Sequence, residues 1–484
     1  MVIKFLFSSL VLLATYTAAS AENELYEQIP TLTAEESLGK EIIKGENYHV
    51  APQVTSDGLM NEYQVISSFL ELSAYSNSLA LERIQEMEAI AAIKKIKTSE
   101  AYAKGIENAA NGPIAMTKNI IVDPIGAVES LAKGLSNTLA DISASIGGMQ
   151  KGESSTDTEA LMKDVIGYNT AKRRLAADLN VDVYSSNKLL QEELNDVTWA
   201  IFAGGATIEA ALSVAPIAAS LSVRAATMSS TNNQGLWKVS AATLREAGEK
   251  AFLKMDLNKE EAEKLMFHSV CTLTHQTALV AGLASMNNVS GRKEFAQLAL
   301  SAENEQACRR YQEIAELIRS YHVNKQPINH ISVEKNRIYV EPEAGGKTVV
   351  VLSDYFVWTK ENAALADVEG VNAIWVSGIV SPLAKQQLSL KNIQVHENVF
   401  ANFPEKAAIL ATILPNRVEE ETGNKTGKLF DGILSIGSEI GNGVGSVAGG
   451  VADTITGENS TEKITPPSQS TVSSNTVTPQ EEIK

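Results

Sequence analysis

Three polar side chains stand where an α/β sheet would use them. Asp354 follows the apolar run 348–352, Ser377 follows 373–376, and His396 follows 393–395. The carboxyl ends of parallel strands form the usual ligand crevice of such sheets. If the three runs are parallel neighbours, a carboxylate, a hydroxyl and an imidazole converge there. Those are the residue types of nucleophilic hydrolysis. The plainer alternative has Asp354 and Ser381 capping helices and His396 facing solvent, since Asp and Ser are common N-caps. Tyr355, Phe356, Trp358 and Trp375 crowd the same stretch, as core packing or as anchors for a partner.

Other chemistry is sparse. Of the six histidines, His268 and His275 are seven apart, so a helix would put them on one side with Cys271 between. Two histidines without a fuller ligand spacing are a poor zinc set. There is no nucleophile elbow, Walker loop, dinucleotide fingerprint or H-E-x-x-H motif, so no cofactor or metal is expected. Gly204-Gly205 and Gly345-Gly346 are plain turn signals. The two cysteines, Cys271 and Cys308, either oxidise to one bridge or pack as buried thiols. A bridge would close a loop of about 37 residues and stabilise the fold by roughly 3–4 kcal/mol in the chain-entropy account. Export, argued next, favours the bridge.

Residues 1–21 hold one lysine, an apolar run and a final Ala19-Ser20-Ala21, the pattern of a cleaved secretory signal peptide. The apolar run is too short for a permanent bilayer span. The chain of 484 residues carries a formal charge of −17. Losing the leader removes one lysine and no acid. Such a surface argues against nucleic acid, whose phosphates need basic partners. It argues equally against electrostatic docking to anionic lipid.

The elements that must position these residues follow from periodicity. Apolar content is 44% but aromatic content only 6%, and alanine is abundant, which favours helix. The expected class is α+β, mainly helical: a small N-terminal β-meander, a central helical bundle and a small C-terminal α/β module. The map is signal peptide 1–21, weakly ordered 22–46 within an N-terminal meander-plus-helix region 22–112, and amphipathic helix with polar linker 113–158. It continues with helical domain 159–327, α/β module 328–404, helical and glycine-rich amphipathic segment 405–456, and disordered tail 457–484. In the meander, Asp57-Gly58 marks a hairpin turn, and Leu81, Ile84, Met87 and Ala91 stripe the helix after it. Asp123-Pro124 opens a regular amphipathic helix carrying Ile125, Val128, Leu135, Leu139, Ile142 and Ile146 on one face. Residues 199–226 fit two buried helices better than a membrane hairpin, because Glu209 would sit near the midplane.

Several blocks recur in a recognisable order. They are Arg83-Ile84-Gln85-Glu86, Asp123-Pro124 with its helix, Ala171-Lys172-Arg173-Arg174-Leu175-Ala176 and Val181-Asp182-Val183-Tyr184-Ser185-Ser186-Asn187. Thr274-His275-Gln276, Asp354-Tyr355-Phe356-Val357-Trp358-Thr359 and Ser377-Gly378-Ile379-Val380-Ser381-Pro382 follow. In block order the chain from Tyr48 to Val399 resembles an uncharacterised family of exported bacterial proteins. The resemblance implies export and architecture and brings no activity. The expected function is that of a cell-envelope protein, periplasmic, surface-associated or secreted, acting through an unknown protein partner or a membrane surface rather than by catalysis. The alternative is an exported hydrolase or ligand-binding enzyme using the α/β module.

Overall fold

The β-strands cluster at the two ends of a mainly helical chain. The computed structural model describes residues 26–111, 155–205 and 239–399, with side chains of the second segment described from residue 167. The expected leader, the helix from Pro124, the stretch after Phe430 and the tail lie outside the described residues. The class is mixed α+β, mainly helical. Among the described residues no helix is long and apolar enough to cross a membrane.

The first sheet is built on Asn61–Ile66 (β4). Gln53–Ser56 (β3) and His49–Val50 (β2) pair in tandem along one edge of β4, and Glu71–Tyr75 (β5) along the other, all antiparallel. Leu32–Thr33 (β1) adds to β3. The meander is therefore present, but its opening is more ordered than the polar composition of 22–46 suggests. A short helix, Ala34–Leu38 (α1), starts at Thr33 with a capping box to Glu36 and buries Ala34 and Leu38. The Thr33-x-x-Glu36 pattern is the sequence sign of this start. Ile42 and Tyr48 fill the same core, and the Tyr48 hydroxyl donates to the Ile42 carbonyl.

Asn77–Lys97 (α2) then lays its Leu81, Ile84, Met87 stripe onto that sheet. Its far end meets Lys188–Phe202 (α5) through Lys94 and Lys97 on Glu193. Between them in sequence lie Glu100–Asn111 (α3) and Ser155–Asp178 (α4). The helical body continues through Ala241–Leu253 (α6), Lys259–Met266 (α7), Leu273–Ala284 (α8), Arg292–Ala299 (α9) and Glu305–Asn324 (α10). Helix α8 is buried from Leu273 to Leu283, and α10 packs along it.

The second sheet runs β12-β10-β8-β7-β6. Lys347–Val351 (β8), Val371–Val376 (β10) and Gln394–His396 (β12) are parallel, while Arg337–Pro342 (β7) and Ile328–Glu334 (β6) are antiparallel. Periodicity does not mark β6, because a register shift between Ile328 and His330 breaks its alternation. Lys335 and Asn336, both left-handed, turn it into β7, as a two-residue hairpin requires. Lys360–Ala363 (α11) with a 3₁₀ turn, and Pro382–Leu390 (α12), make the crossovers. Tyr355–Phe356 (β9) and Ile379–Val380 (β11) pair in the loops beyond.

These loops tie the sheets together. Leu59 O accepts from Asp354 N and Tyr355 N, and Gly58 O from Val357 N, so the first hairpin turn is bonded to the end of β8.

Candidate functional site

The parallel strands β8, β10 and β12 do place Asp354 and Ser377 on adjoining loops, but each is used by the scaffold. Ser377 Oγ accepts from Ser353 N at 2.7 Å and donates to Ser353 O at 2.8 Å. The Asp354 carboxylate accepts from Asn61 N at 3.0 Å and Asn77 N at 3.1 Å. Burial pushes Asp354 up to about 7 against the pull of those two N–H groups. His396 pairs in register with Trp375 and sets its ring edge against Tyr321, and burial holds it below the usual histidine range. No hydrogen bond joins any two of the three. Ser381 does cap α12, as expected, whereas Asp354 fastens one sheet to the other instead of capping a helix. Trp358, Trp375 and Phe356 are fully buried packing.

Cys271 and Cys308 are joined as a disulfide, with Cα atoms 5.5 Å apart. Cys271 lies in the bend ahead of α8 rather than within a helix, and Cys308 lies in α10. The bridge therefore staples the starts of two helices that lie side by side.

Next to this staple the structure gathers its densest polar chemistry. A small open-mouthed hollow, with room for about one water-sized group, is lined by Glu82, Asp182, Ser185, Thr272, Thr274, His275, Glu305, Arg309 and Gln312. Every one of these side chains is polar, which is unusual where protein interiors bury mostly apolar groups. They come from four remote stretches: the second turn of α2, the loop 181–187 before α5, the start of α8 and the start of α10. Helix geometry explains the gathering. Thr272 caps α8, Asn187 caps α5 and Asn304 caps α10, so three helix N-termini sit around one volume. Positive helix ends favour carboxylates nearby.

Charge is partly balanced inside the cluster. Arg83 grips Glu86 at 2.8 Å, and Glu86 also accepts from Asn187 Nδ2 at 2.9 Å and from the Ser185 hydroxyl. Arg309 grips Glu82 at 2.9 Å. Burial opposes the Glu82 charge, but Arg309, Arg83 and His275 outweigh it and hold its carboxyl low. His275 is only 4% exposed. Its Nδ1 lies 2.6 Å from Gln312 Oε1, while Gln312 Nε2 donates to Glu316 at 3.0 Å. That orientation makes Nδ1 the donor. Nε2 then faces the hollow without a hydrogen bond, 3.6 Å from Glu305 Oε1.

Two carboxylates in the hollow are driven apart. Burial works against Glu305, but the imidazole of His275 and the Ser186 hydroxyl, with the charge of Arg83, hold it down at about 2. Burial pushes Asp182 up to about 6, and the neighbouring Thr274 hydroxyl and the Tyr184 N–H reverse this only in part. Asp182 Oδ1 accepts from Tyr184 N at 2.8 Å. Among the described residues no salt bridge reaches Asp182. Divergent carboxylates in one pocket mark the groups that can hold or release a proton near neutral pH.

Periodicity pointed to the α/β module for chemistry, and the gathering lies in the helical body instead. Three of the blocks quoted for the family resemblance, around Arg83, Asp182 and His275, meet here. Arg309, Gln312 and Glu316 recur at helical spacing on one face of α10, which is a sequence sign of a polar stripe. Comparison with protein-family models, with curated proteins and with solved structures finds no match.

Proposed function

We propose that this chain is an exported cell-envelope protein whose helical body binds the ammonium group of a small cation in the polar hollow. The observation that carries the reading is the set of acceptors left facing one volume. Glu82, Asp182 and Glu305 all line it, no salt bridge reaches Asp182 among the described residues, and Glu305 is ionised. Three carboxylates, of Glu82, Asp182 and Glu305, stand there against the one guanidinium of Arg309. A cation bearing several N–H donors would satisfy all three acceptors and relieve their mutual repulsion. The Cys271–Cys308 bridge supports the export part of the reading, since disulfides persist in oxidising compartments. Interaction with a protein or membrane partner through the segment from Pro124, expected from its sequence to be an amphipathic helix, belongs to the same proposal. Its charge balance leaves nucleic acid out.

The experiment uses protein purified from its own cells, whose N-terminus should be Glu22. Ammonium and methylammonium are titrated calorimetrically from pH 5 to pH 8. Binding should strengthen by up to about tenfold per pH unit below about 6, as Asp182 gives up its proton, and level off above it. Asp182→Asn should weaken binding and remove that pH dependence. Heats indistinguishable from dilution across the series, or an unchanged pH profile in Asp182→Asn, would refute the ligand; an intact Met1 would refute export.

A further inference from the structure

We propose that the Cys271–Cys308 bridge is one state of a redox-gated zinc site completed by His268. The Sγ atoms of the two cysteines and a ring nitrogen of His268 all lie within 4.8 Å of one another. Ligand atoms around one tetrahedral Zn²⁺, at about 2.3 Å for sulfur and 2.0–2.1 Å for nitrogen, are separated by less than that. His268 Nε2 lies 3.2 Å from the Leu300 carbonyl, so Nε2 carries the proton and donates. Nδ1, buried and without a hydrogen-bond partner, is left with its lone pair. Metal-bound histidines characteristically donate their other nitrogen to a carbonyl in this way.

The backbone is shaped for a ligand pair as well. Residues 268–271 form a turn closed by Cys271 N donating to His268 O at 3.1 Å. Gln276 Nε2 pins the same turn by donating to His268 O at 3.1 Å and Cys271 O at 3.0 Å. His-x-x-Cys in a pinned turn, with a third ligand from a neighbouring helix, matches the short spacing of structural zinc ligands. Cys308 lies in the first turns of α10 and Cys271 just ahead of α8, where positive helix ends favour thiolates.

The step balances as follows. A phosphine reductant gives two electrons to the disulfide and takes an oxygen atom from water. The S–S bond breaks, two S–H bonds form, and the phosphine becomes its oxide. Zn²⁺ then displaces both thiol protons, and two thiolates neutralise its charge. His268 Nδ1 is the third ligand, and a water completes the tetrahedron.

The test uses the full mature chain, oxidised or reduced with a phosphine, mixed with zinc and passed through a desalting column before elemental analysis. The reduced chain should retain one zinc per molecule and the oxidised chain none. Cobalt in place of zinc should give thiolate-to-metal charge-transfer absorption in the reduced chain alone. Cys308→Ser should abolish both signals, and His268→Ala should weaken zinc binding by about tenfold or more. His268→Ala keeps the disulfide, so its oxidised form should still unfold cooperatively, with a melting point lowered only by the lost bond to the Leu300 carbonyl, which separates ligand loss from misfolding. No zinc on the reduced chain, or equal retention by the wild type and both variants, would overturn the site.

Discussion

Asp354 shows how one residue can look catalytic and serve the scaffold. It sits at the carboxyl end of β8 with its carboxylate closed on two backbone N–H groups from the first sheet and the start of α2. Burial raises it to about 7 from an ordinary 3.8, and the negative charges of Glu313 and Asp57 add to the rise. A folded value above the unfolded one means that the folded chain holds an extra proton between the two. The contribution of Asp354 to stability is therefore full below about pH 4 and is lost as pH rises to about 7. Asp354→Asn cannot ionise yet keeps an oxygen for one of the N–H groups. Urea midpoints measured at pH 4.5 and pH 7.5 should fall less with rising pH in Asp354→Asn than in the wild type. Equal falls would assign the slope to other groups. The residue types at strand ends were legible in the sequence. Their actual partners were not, because Asn61 and Asn77 lie almost three hundred positions away.

At the scale of elements, periodicity located most helices and strands because a buried face repeats. The α2 stripe, the parallel strands and the crossover α12 all follow from that repeat. Some elements escaped it for physical reasons: β6 carries a register shift, α1 is too short for a stripe and is announced only by its cap, and β1, β9 and β11 are two residues each, too short to repeat. Close approach is a further property that spacing does not announce. Gly204, just past α5, comes so near α3 that a Cβ there would lie 1.9 Å from the Gly105 carbonyl oxygen. The Asn108 side chain reinforces the contact by donating to Gly204 O at 3.1 Å. Gly204→Ala must push the two helices apart and should destabilise by more than about 2 kcal/mol, as overpacking against backbone does. Chemical denaturation measures it, and a loss within a few tenths of wild type would show that the crossing can relax.

At the scale of the molecule, the candidate site is a product of topology. Its lining comes from four stretches between residues 82 and 312, and no local window of sequence contains more than a fragment of it. The clue that was available is indirect: three separate polar blocks without local periodicity meet in one hollow. Caps on three helices, the disulfide and the buried Arg83–Glu86 pair hold the hollow's walls in place. Prearranged walls lower the entropy lost when a ligand binds. They also raise Asp182, because removing its solvent favours the neutral acid more than the nearby donors and His275 oppose it. The most direct measurement is a carbon-detected NMR titration of the Asp182 carboxyl in the full mature chain, with and without saturating methylammonium. The account predicts a midpoint near 6 in the free protein and a clear drop when the cation is bound. A midpoint in the ordinary carboxylate range, or one that methylammonium leaves in place, would contradict it.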